Sequence, residues 1–325
     1  MKFFITGATG FLGGALARML RERGHEVTAL VRSPERSSTL KALGITLVPG
    51  DITDKESMRV AMNGCEGIFH CAAWYKVGAR DRSEAWRINV EGTRNVLELM
   101  KELKVPKGVY TSTIAINSDT HGTAPDETFR FTGTHLSEYD RTKAAAHEVA
   151  KGFMKEGLPL VTVMPGLIYG PDGTGMSDDA FRFYLRGLLP VIPQRAGYSW
   201  AHVDDVAEAH ILAMQKGIPG EEYIIAGEHS TLTDAFALAH SITGKRRPIS
   251  VPAMMLKLSS MAAAVVEKII PLPDMYSSEA MRVQAGVTYM GNNSKARREL
   301  GYAPRPLKIG LEQTLLYEMK KLKLT

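Results

Sequence analysis

The chain contains 325 residues, of which 44% are hydrophobic and 23% charged, and its net charge is +5. These ordinary globular values exclude a disordered or fibrous chain, and the length favours one large domain with a smaller partner. Because the basic residues form no long run, nucleic acid is not an expected partner.

Apolar runs of strand length alternate with helical patterns over the first half of the chain. The helical patterns include residues 14–23 and 85–103. Parallel strands are predicted at residues 2–5, 26–31, 45–48, 67–71, 108–112 and 160–164. This alternation predicts an α/β fold of the Rossmann type, a doubly wound parallel sheet with right-handed crossovers.

A glycine-rich turn with the sequence TGATGFLG follows the first predicted strand. Gly7 permits a tight turn, Gly10 lets the backbone approach a pyrophosphate, and Gly13 lets the next helix pack near the strand. The N-terminus of that helix attracts negative charge. A dinucleotide-binding site is therefore predicted here.

The ends of the second and third strands bear on the choice of nucleotide. Arg32 stands where a carboxylate would bind the ribose hydroxyls of NAD, and a guanidinium there, helped by Ser33, suits the 2′-phosphate of NADP. NADP(H) is the predicted cofactor and NAD(H) the alternative, while an Arg32 side chain that merely points into solvent is the competing interpretation. Asp51 and Ile52 are predicted to contact the adenine, unless Asp51 caps a helix.

A tyrosine and a lysine four residues apart, Tyr139 and Lys143, begin a long helical pattern. Residues at this spacing share one face of a helix, so both side chains can reach one ligand. The ammonium and an oxidised nicotinamide are expected to lower the pKa of the phenol. The strand upstream ends in Thr111, Ser112 and Thr113, and Thr113 is predicted to bond the oxygen to which Tyr139 donates a proton.

The regular alternation ends after Pro165, where Gly and Pro become frequent. This change predicts a smaller, discontinuous C-terminal substrate domain. The NADP-binding domain is expected to contain residues 1–168 and about 202–227, and the substrate-binding domain about 169–201 and 228–325.

Several side chains of the second half have two interpretations. Asp204 or Asp205 is expected to cap a helix that follows. Four apolar side chains either line a substrate pocket or pack in the core, namely Met176, Phe183, Tyr198 and Trp200.

The most apolar later segment, residues 253–270, is interrupted by Lys257 and Glu267, which argues against a transmembrane helix. We expect a core or subunit-contact helix, with a pocket wall or a membrane-touching lid as the alternatives. A helix-mediated homodimer is compatible with this segment, and stable membrane insertion is not expected.

The two cysteines, Cys65 and Cys71, lie in or next to a predicted buried strand and lack metal-site spacing. Neither a disulfide framework nor a metal site is therefore predicted. The apolar run at the N-terminus is shorter than that of a signal peptide, so a reducing, cytoplasmic setting is expected.

Together, these segments resemble the extended short-chain dehydrogenases/reductases, also called the NAD-dependent epimerase/dehydratase family. The similarity covers nearly the whole chain and rests on TGATGFLGG, GDITD, HCAAW, NVEGT, YTST, YDRTK, PGLIYGP and HVDDVAEA. It implies a catalytic trio of Thr113, Tyr139 and Lys143. It also implies a C-terminal helix with a glycine stop within residues 293–302. The cofactor contacts predicted from the motifs and the resemblance together are Gly7, Gly10, Phe11, Leu12, Gly13, Arg32, Asp51, Ile52, Ala72, Ala73, Asn89, Thr111, Tyr139, Lys143, Pro165 and Ile168.

Within the family, VRS, YTST and YDRTK are more similar to dihydroflavonol reductase-like and 3β-hydroxysteroid dehydrogenase-like members, which act on apolar carbonyl compounds. The resemblance implies NADP-dependent reduction of a small aldehyde or ketone, or oxidation of the corresponding alcohol. A nucleotide-sugar epimerase with a tightly bound cofactor is the alternative, because Arg195 could bind phosphate. A non-catalytic nucleotide sensor ranks last, since both Tyr139 and Lys143 are present.

Overall fold

The computed structural model describes residues 1–79, 81–173, 175–267, 270, 272 and 277–324, without the side chains of Met176 and Ser177. Its strands are β1 (Lys2–Thr6), β2 (Glu26–Val31), β3 (Thr46–Pro49), β4 (Gly67–His70), β5 (Gly108–Thr111), β6 (Leu160–Pro165), β7 (Leu167–Tyr169), β8 (Val191–Pro193), β9 (Gly197–His202), β10 (Glu222–Ile225), β11 (Glu228–Thr231), β12 (Ile249–Val251) and β13 (Thr288–Tyr289). Its α-helices are α1 (Phe11–Glu22), α2 (Ser38–Ala42), α3 (Lys55–Met62), α4 (Ser83–Trp86), α5 (Gly92–Glu102), α6 (Glu138–Lys155), α7 (Met176–Leu185), α8 (Val203–Lys216), α9 (Leu232–Thr243), α10 (Ala253–Val266), α11 (Ser278–Arg282), α12 (Ser294–Leu300) and α13 (Leu307–Lys321). A π-helical turn, Arg87–Glu91, joins α4 to α5.

Seven strands form the main sheet in the order β10-β6-β5-β4-β1-β2-β3, and all neighbouring strands pair in parallel. The chain reverses its direction across the sheet between β1 and β4. Ligands of such sheets bind outside the carboxyl ends of the strands at this switch point. The predicted doubly wound α/β fold is confirmed, and the six predicted strands are found with their ends displaced by at most one residue.

Helices cover both faces of the main sheet because its strands are apolar on both sides. On one face, α1 and α8 pack against each other and the sheet through residues such as Leu16 and Val206. On the other face, α3, α5 and α6 contribute Met58, Leu97 and Ala146 to a second core. With both faces covered, the carboxyl ends of the strands are left for a ligand.

A second sheet lies at the carboxyl end of β6, because β7 follows β6 almost directly. Its central strand is β9, which pairs with β7, β11 and β13. Trp200 of β9 is buried in a third core with Phe181, Phe236 and Leu311. Trp200 is thus a core residue, while the division of the chain into two domains stays a prediction.

The start of α8 differs from the expectation. His202 caps the helix, since its Nδ1 accepts the backbone N–H of Asp204 at 3.3 Å. Asp204 instead pairs with Arg18 at 2.9 Å, and both carboxylate oxygens of Asp205 bind Arg305. The prediction of an aspartate cap was wrong because these carboxylates have partners far away in the chain.

Near the C-terminus, α12 ends at Gly301 with a left-handed φ of 78°, which confirms the expected glycine stop. α10 occupies much of the apolar segment 253–270, of which residues 268 and 269 lie outside the described residues. Only Ser260 and Ala263 of α10 are buried, so it is not a core helix. Within the described ranges, no helix has the length and apolarity needed to cross a membrane.

Candidate active site

The glycine loop between β1 and α1 leaves no room for side chains. Gly7 has a φ of 78°, and a Cβ built on it would lie 2.6 Å from the backbone nitrogen of Ala72. A Cβ on Gly13 would lie 2.2 Å from the carbonyl oxygen of Gly7. The first turn of α1 carries no acidic residue, and Gly10 supplies no capping side chain. The free amides and the helix dipole are therefore available to an anion, which fits the pyrophosphate of a dinucleotide.

We predict that Gly7→Ala both destabilises the protein and weakens nucleotide binding. The left-handed backbone alone costs about 1–2 kcal/mol for alanine, and the contact with Ala72 adds to this cost. Gly64→Ala is the matched control, because Gly64 has a φ of 71° and a Cβ added to it would meet no atom within 4 Å. Urea unfolding and NADPH titration would measure both effects. Equal losses of stability in the two variants would contradict the close approach at Gly7.

The glycine loop opens into a cleft of about 630 Å³ at the switch point of the sheet, a volume typical of small-molecule sites. The structure brings all but one of the predicted site residues to its walls, namely Gly7, Gly10, Phe11, Leu12, Gly13, Arg32, Asp51, Ile52, Ala72, Ala73, Thr111, Thr113, Tyr139, Lys143, Pro165 and Ile168. Tyr198 also lines the cleft, whereas Phe183 is not among its lining residues and the side chain of Met176 is outside the described part of the chain.

Asn89 is the predicted contact that does not reach the cleft. It is buried, its Oδ1 accepts the backbone N–H of Trp74 at 2.7 Å, and its Nδ2 donates to the Trp74 carbonyl and the Thr142 hydroxyl. These bonds use the side-chain amide within the protein. Asn89 therefore holds the segment after β4 against α6.

Two side chains at the nucleotide end of the cleft bear on the sequence alternatives. Arg32 is exposed at the rim and has no ion pair with any described residue. Asp51 is not a helix cap, because its Oδ1 accepts the N–H and hydroxyl of Thr53, each at 2.9 Å, while Asp54 caps α3. Both side chains can therefore contact a ligand in the cleft.

Thr113 follows the end of β5, and Tyr139 lies at the beginning of α6, where the two side chains meet. Ser137 caps α6 by accepting the N–H of Asp140, which places Tyr139 in the first turn of the helix. Burial raises the pKa of Tyr139 to about 12, and a hydrogen bond from Thr113 opposes this shift. The phenol is therefore protonated at neutral pH, and the expected lowering of its pKa by the ammonium together with an oxidised nicotinamide stays a prediction.

Lys143 lies one turn further along α6 and is buried. Its Nζ donates to the carbonyl oxygen of Thr111 at 2.8 Å and to the hydroxyl of Tyr110 at 3.3 Å, and it lies 4.9 Å from the centre of the Tyr110 ring. Burial lowers the pKa of Lys143 from 10.5 to about 7. The amino group of Lys143 is thus held at the end of β5.

This lowered pKa makes stability depend on pH. Between pH 7 and 10.5 the unfolded chain binds a proton at Lys143 that the folded protein has released, so raising the pH favours folding. We predict that the free energy of unfolding rises with pH over this window in the wild type relative to Lys143→Met. Urea unfolding of the nucleotide-stripped proteins would measure it, and parallel pH profiles would contradict it.

The far end of the cleft contains polar groups that the sequence reasoning missed. The hydroxyl of Tyr289 donates to Oδ2 of Asp140 at 3.2 Å, and the ring of Tyr289 stacks on that of Tyr198. Burial raises the pKa of Asp140 to about 7, although hydrogen bonds from Ser137 and Tyr289 lower it. The only sequence signal for Asp140 was its place between the tyrosine and the lysine.

Glu279 ties α11 to the mouth of the cleft. Its side chain is 1% exposed, and its Oε1 accepts the backbone N–H groups of Gly78 and Glu138, each at 3.3 Å. Its Oε2 pairs with Arg82 at 2.7 Å. One carboxylate therefore joins α11, the segment after β4 and the residue that precedes Tyr139.

We predict that Glu279→Ala lowers the free energy of unfolding by about 3 kcal/mol, because it leaves two backbone amides without an acceptor. Arg82 is half-exposed and adds little. Glu84→Ala is the control, since Glu84 forms an exposed pair with Arg87. Urea unfolding would measure both variants, and an equally small effect of the two would refute the bridging role.

The comparisons with known proteins agree with this geometry. Residues 3–226 match the model of the NAD dependent epimerase/dehydratase family. The chain belongs to this family. The family match and the named relatives confirm the predicted type of enzyme, an oxidoreductase that uses a nicotinamide dinucleotide.

Two relatives of this family member are named as reductases. A Synechocystis protein provisionally named dihydroflavonol 4-reductase is 34% identical over 95% of the chain and 92% of its own length. The 4-hydroxy-2-methyl-3-oxo-4-farnesyl-3,4-dihydroquinoline-1-oxide ketoreductase of Stigmatella aurantiaca is 30% identical over 94% of the chain and 92% of its own length. The predicted dihydroflavonol reductase-like branch is thereby confirmed.

Solved structures of the family share the whole architecture. The crystal structure of gox2253 is 30% identical, superposes with a TM-score of 0.86, and matches over 98% of each chain. The Thermus thermophilus UDP-glucose 4-epimerase, solved with NAD, is 24% identical with a TM-score of 0.78, over 98% of this chain and 99% of that one. The latter similarity shows the fold alone.

Proposed function

We propose that this family member is an NADP(H)-dependent reductase of an apolar aldehyde or ketone, with Thr113, Tyr139 and Lys143 as its catalytic residues. All three line the cleft onto which the glycine loop opens. When bound there, NADPH would supply the hydride. The two relatives named as reductases support the same direction of chemistry.

Tyr139 is suited to act as the acid in carbonyl reduction. Its pKa of about 12 keeps the proton on the phenol at neutral pH, ready to pass to the oxygen that gains negative charge. Thr113 bonds the phenol and can bond the same oxygen. Lys143 is fixed by Thr111 and Tyr110, and its protonated form, which a pKa of about 7 leaves populated near neutral pH, can stabilise negative charge on this oxygen.

The preference for NADP rests on Arg32. Its guanidinium stands at the rim of the cleft immediately after β2, without an ion pair among the described residues. A guanidinium in this position can bind a phosphate with two hydrogen bonds.

The observation that carries the choice of substrate is the lack of positive charge at the far end of the cleft. Among the described lining residues, Arg32 and Lys143 are the only basic ones. Arg32 is assigned to the 2′-phosphate of NADP and Lys143 to the catalytic residues. Around Tyr139 the walls carry the polar side chains of Thr113, Lys143 and Asp140 and are otherwise largely apolar or aromatic. The remaining residues of this end include Tyr75, Val77, Ile114, Leu167, Tyr198, Val283 and Tyr289. Such walls suit an uncharged carbonyl compound and oppose a diphosphate.

Loss of NADPH absorbance with a panel of aldehydes and ketones of increasing apolar size would test the proposal. We expect turnover that rises with apolar size and that NADH supports poorly. The same protein given UDP-glucose should form no epimer. Absence of turnover with every carbonyl compound, together with epimer formation, would replace the proposal by the epimerase alternative.

That alternative has one supporting observation, the fold shared with UDP-glucose 4-epimerases. Arg195, which could bind a substrate phosphate, is not among the described residues that line the cleft. The reductase is therefore the better supported function.

A further inference from the structure

Helix α10 presents an apolar face to solvent. Met254, Leu258, Met261 and Val265 are 65%, 59%, 68% and 61% exposed, and their spacing places them in one stripe along the helix. Monomeric proteins rarely expose apolar side chains in such contiguous patches unless the patch contacts a partner or a membrane. We call these four residues the α10 stripe.

The sequence around the α10 stripe is basic. Residues 245–266 contain four basic residues and no aspartate or glutamate. Arg246, Arg247 and Lys257 are exposed and have no ion pair with any described residue. An apolar helical face with exposed, unpaired basic residues near it in the chain has the composition that binds anionic lipid surfaces.

Helix α10 is joined to the wall of the substrate cleft through α11. The hydroxyl of Ser260 in α10 donates to the carbonyl oxygen of Ser278 in α11 at 2.8 Å. The segment that follows α11 carries Val283, which lines the cleft. Glu279 of α11 in turn holds the residue before Tyr139. A surface bound to α10 would therefore contact the part of the protein that is joined through α11 to the wall of the cleft.

We propose that the α10 stripe and its basic neighbours dock the enzyme on an anionic phospholipid bilayer, from which it takes a carbonyl substrate with an apolar chain. The choice of substrate rests on the reductase function proposed above, whereas the docking does not. A second copy of the chain is a poorer occupant, because a symmetric contact through this face would bring the unpaired basic residues of both copies to one interface.

Sedimentation with vesicles tests the docking without NADPH or substrate. The vesicles are phosphatidylcholine alone, or phosphatidylcholine mixed with phosphatidylglycerol. We expect binding to the mixed vesicles only, weakened by added salt. Replacing all four residues of the α10 stripe by serine should reduce binding about tenfold or more. The matched control replaces four exposed apolar residues elsewhere by serine and should bind as the wild type does, namely Val60, Ile218, Ile309 and Leu316.

A charge variant covers the case in which the serine variant does not fold. Arg246→Gln, Arg247→Gln and Lys257→Gln together should also reduce binding to the mixed vesicles. Equal binding to both vesicle types, no binding at all, or unchanged binding by the charge variant would overturn the proposal. So would a wild-type dimer that the stripe variant dissociates and that binds no vesicles.

A separate assay distinguishes failure of docking from failure of the proposed function. Reduction of a short water-soluble ketone should be equal in the wild type and the stripe variant, whereas reduction of a long-chain ketone presented in vesicles should fall about tenfold in the variant. Vesicle binding without reduction of any ketone would retain the docking and reject the reductase. Reduction without vesicle binding would do the reverse.

Discussion

Tyr139→Phe is expected to lower kcat for carbonyl reduction by about a hundredfold to ten-thousandfold, the usual contribution of a general acid. The substitution removes only the hydroxyl that bonds Thr113 and retains the ring. Because the hydroxyl of Tyr139 acts only after NADPH has bound, the KM for NADPH should change little. Steady-state kinetics with a saturating ketone, together with NADPH titration, would measure both quantities.

Tyr75→Phe is the matched control for this prediction. Tyr75 also lines the cleft, but its side chain is exposed and it lies outside the proposed catalytic residues. Its loss of a hydroxyl should leave kcat nearly unchanged. If Tyr139→Phe kept nearly full activity while folding normally, the assignment of Tyr139 as the acid would be rejected.

Arg32→Asp is expected to reverse the preference between the two nucleotides. Hydrogen bonds to a charged group contribute about 1.5–3 kcal/mol, so the KM for NADPH should rise roughly tenfold to a hundredfold. The new carboxylate would repel the 2′-phosphate and could accept a hydroxyl of the ribose of NADH. The ratio of kcat/KM for NADPH to that for NADH measures the change.

Arg186→Asp makes the same change of net charge away from the cleft. Arg186 is exposed, and it is not among the described residues that line the cleft. It should leave the nucleotide preference as in the wild type. Equal shifts in the two variants would assign the effect to net charge, and an unchanged ratio in Arg32→Asp would show that Arg32 does not bind the phosphate.

Features contained in contiguous segments could be predicted from the sequence. Strand positions follow from short apolar runs, and the glycine loop and the pair Tyr139 and Lys143 each lie within a few residues. Local spacing determines which side chains share a helix face or follow a strand. The predicted positions consequently meet in one cleft, because parallel strands place their carboxyl ends at the same edge of the sheet.

The sequence by itself thus determined the family, the sheet and most of the cleft. Only the tertiary structure decided which groups are buried and which distant residues they meet. Burial, which no local pattern reports, raises the pKa of Tyr139 and lowers that of Lys143. Asp140 meets Tyr289 across 149 positions of the chain, and Asp205 binds Arg305 rather than capping its helix. Such pairings depend on the packing of separate elements, so spacing within one segment cannot predict them.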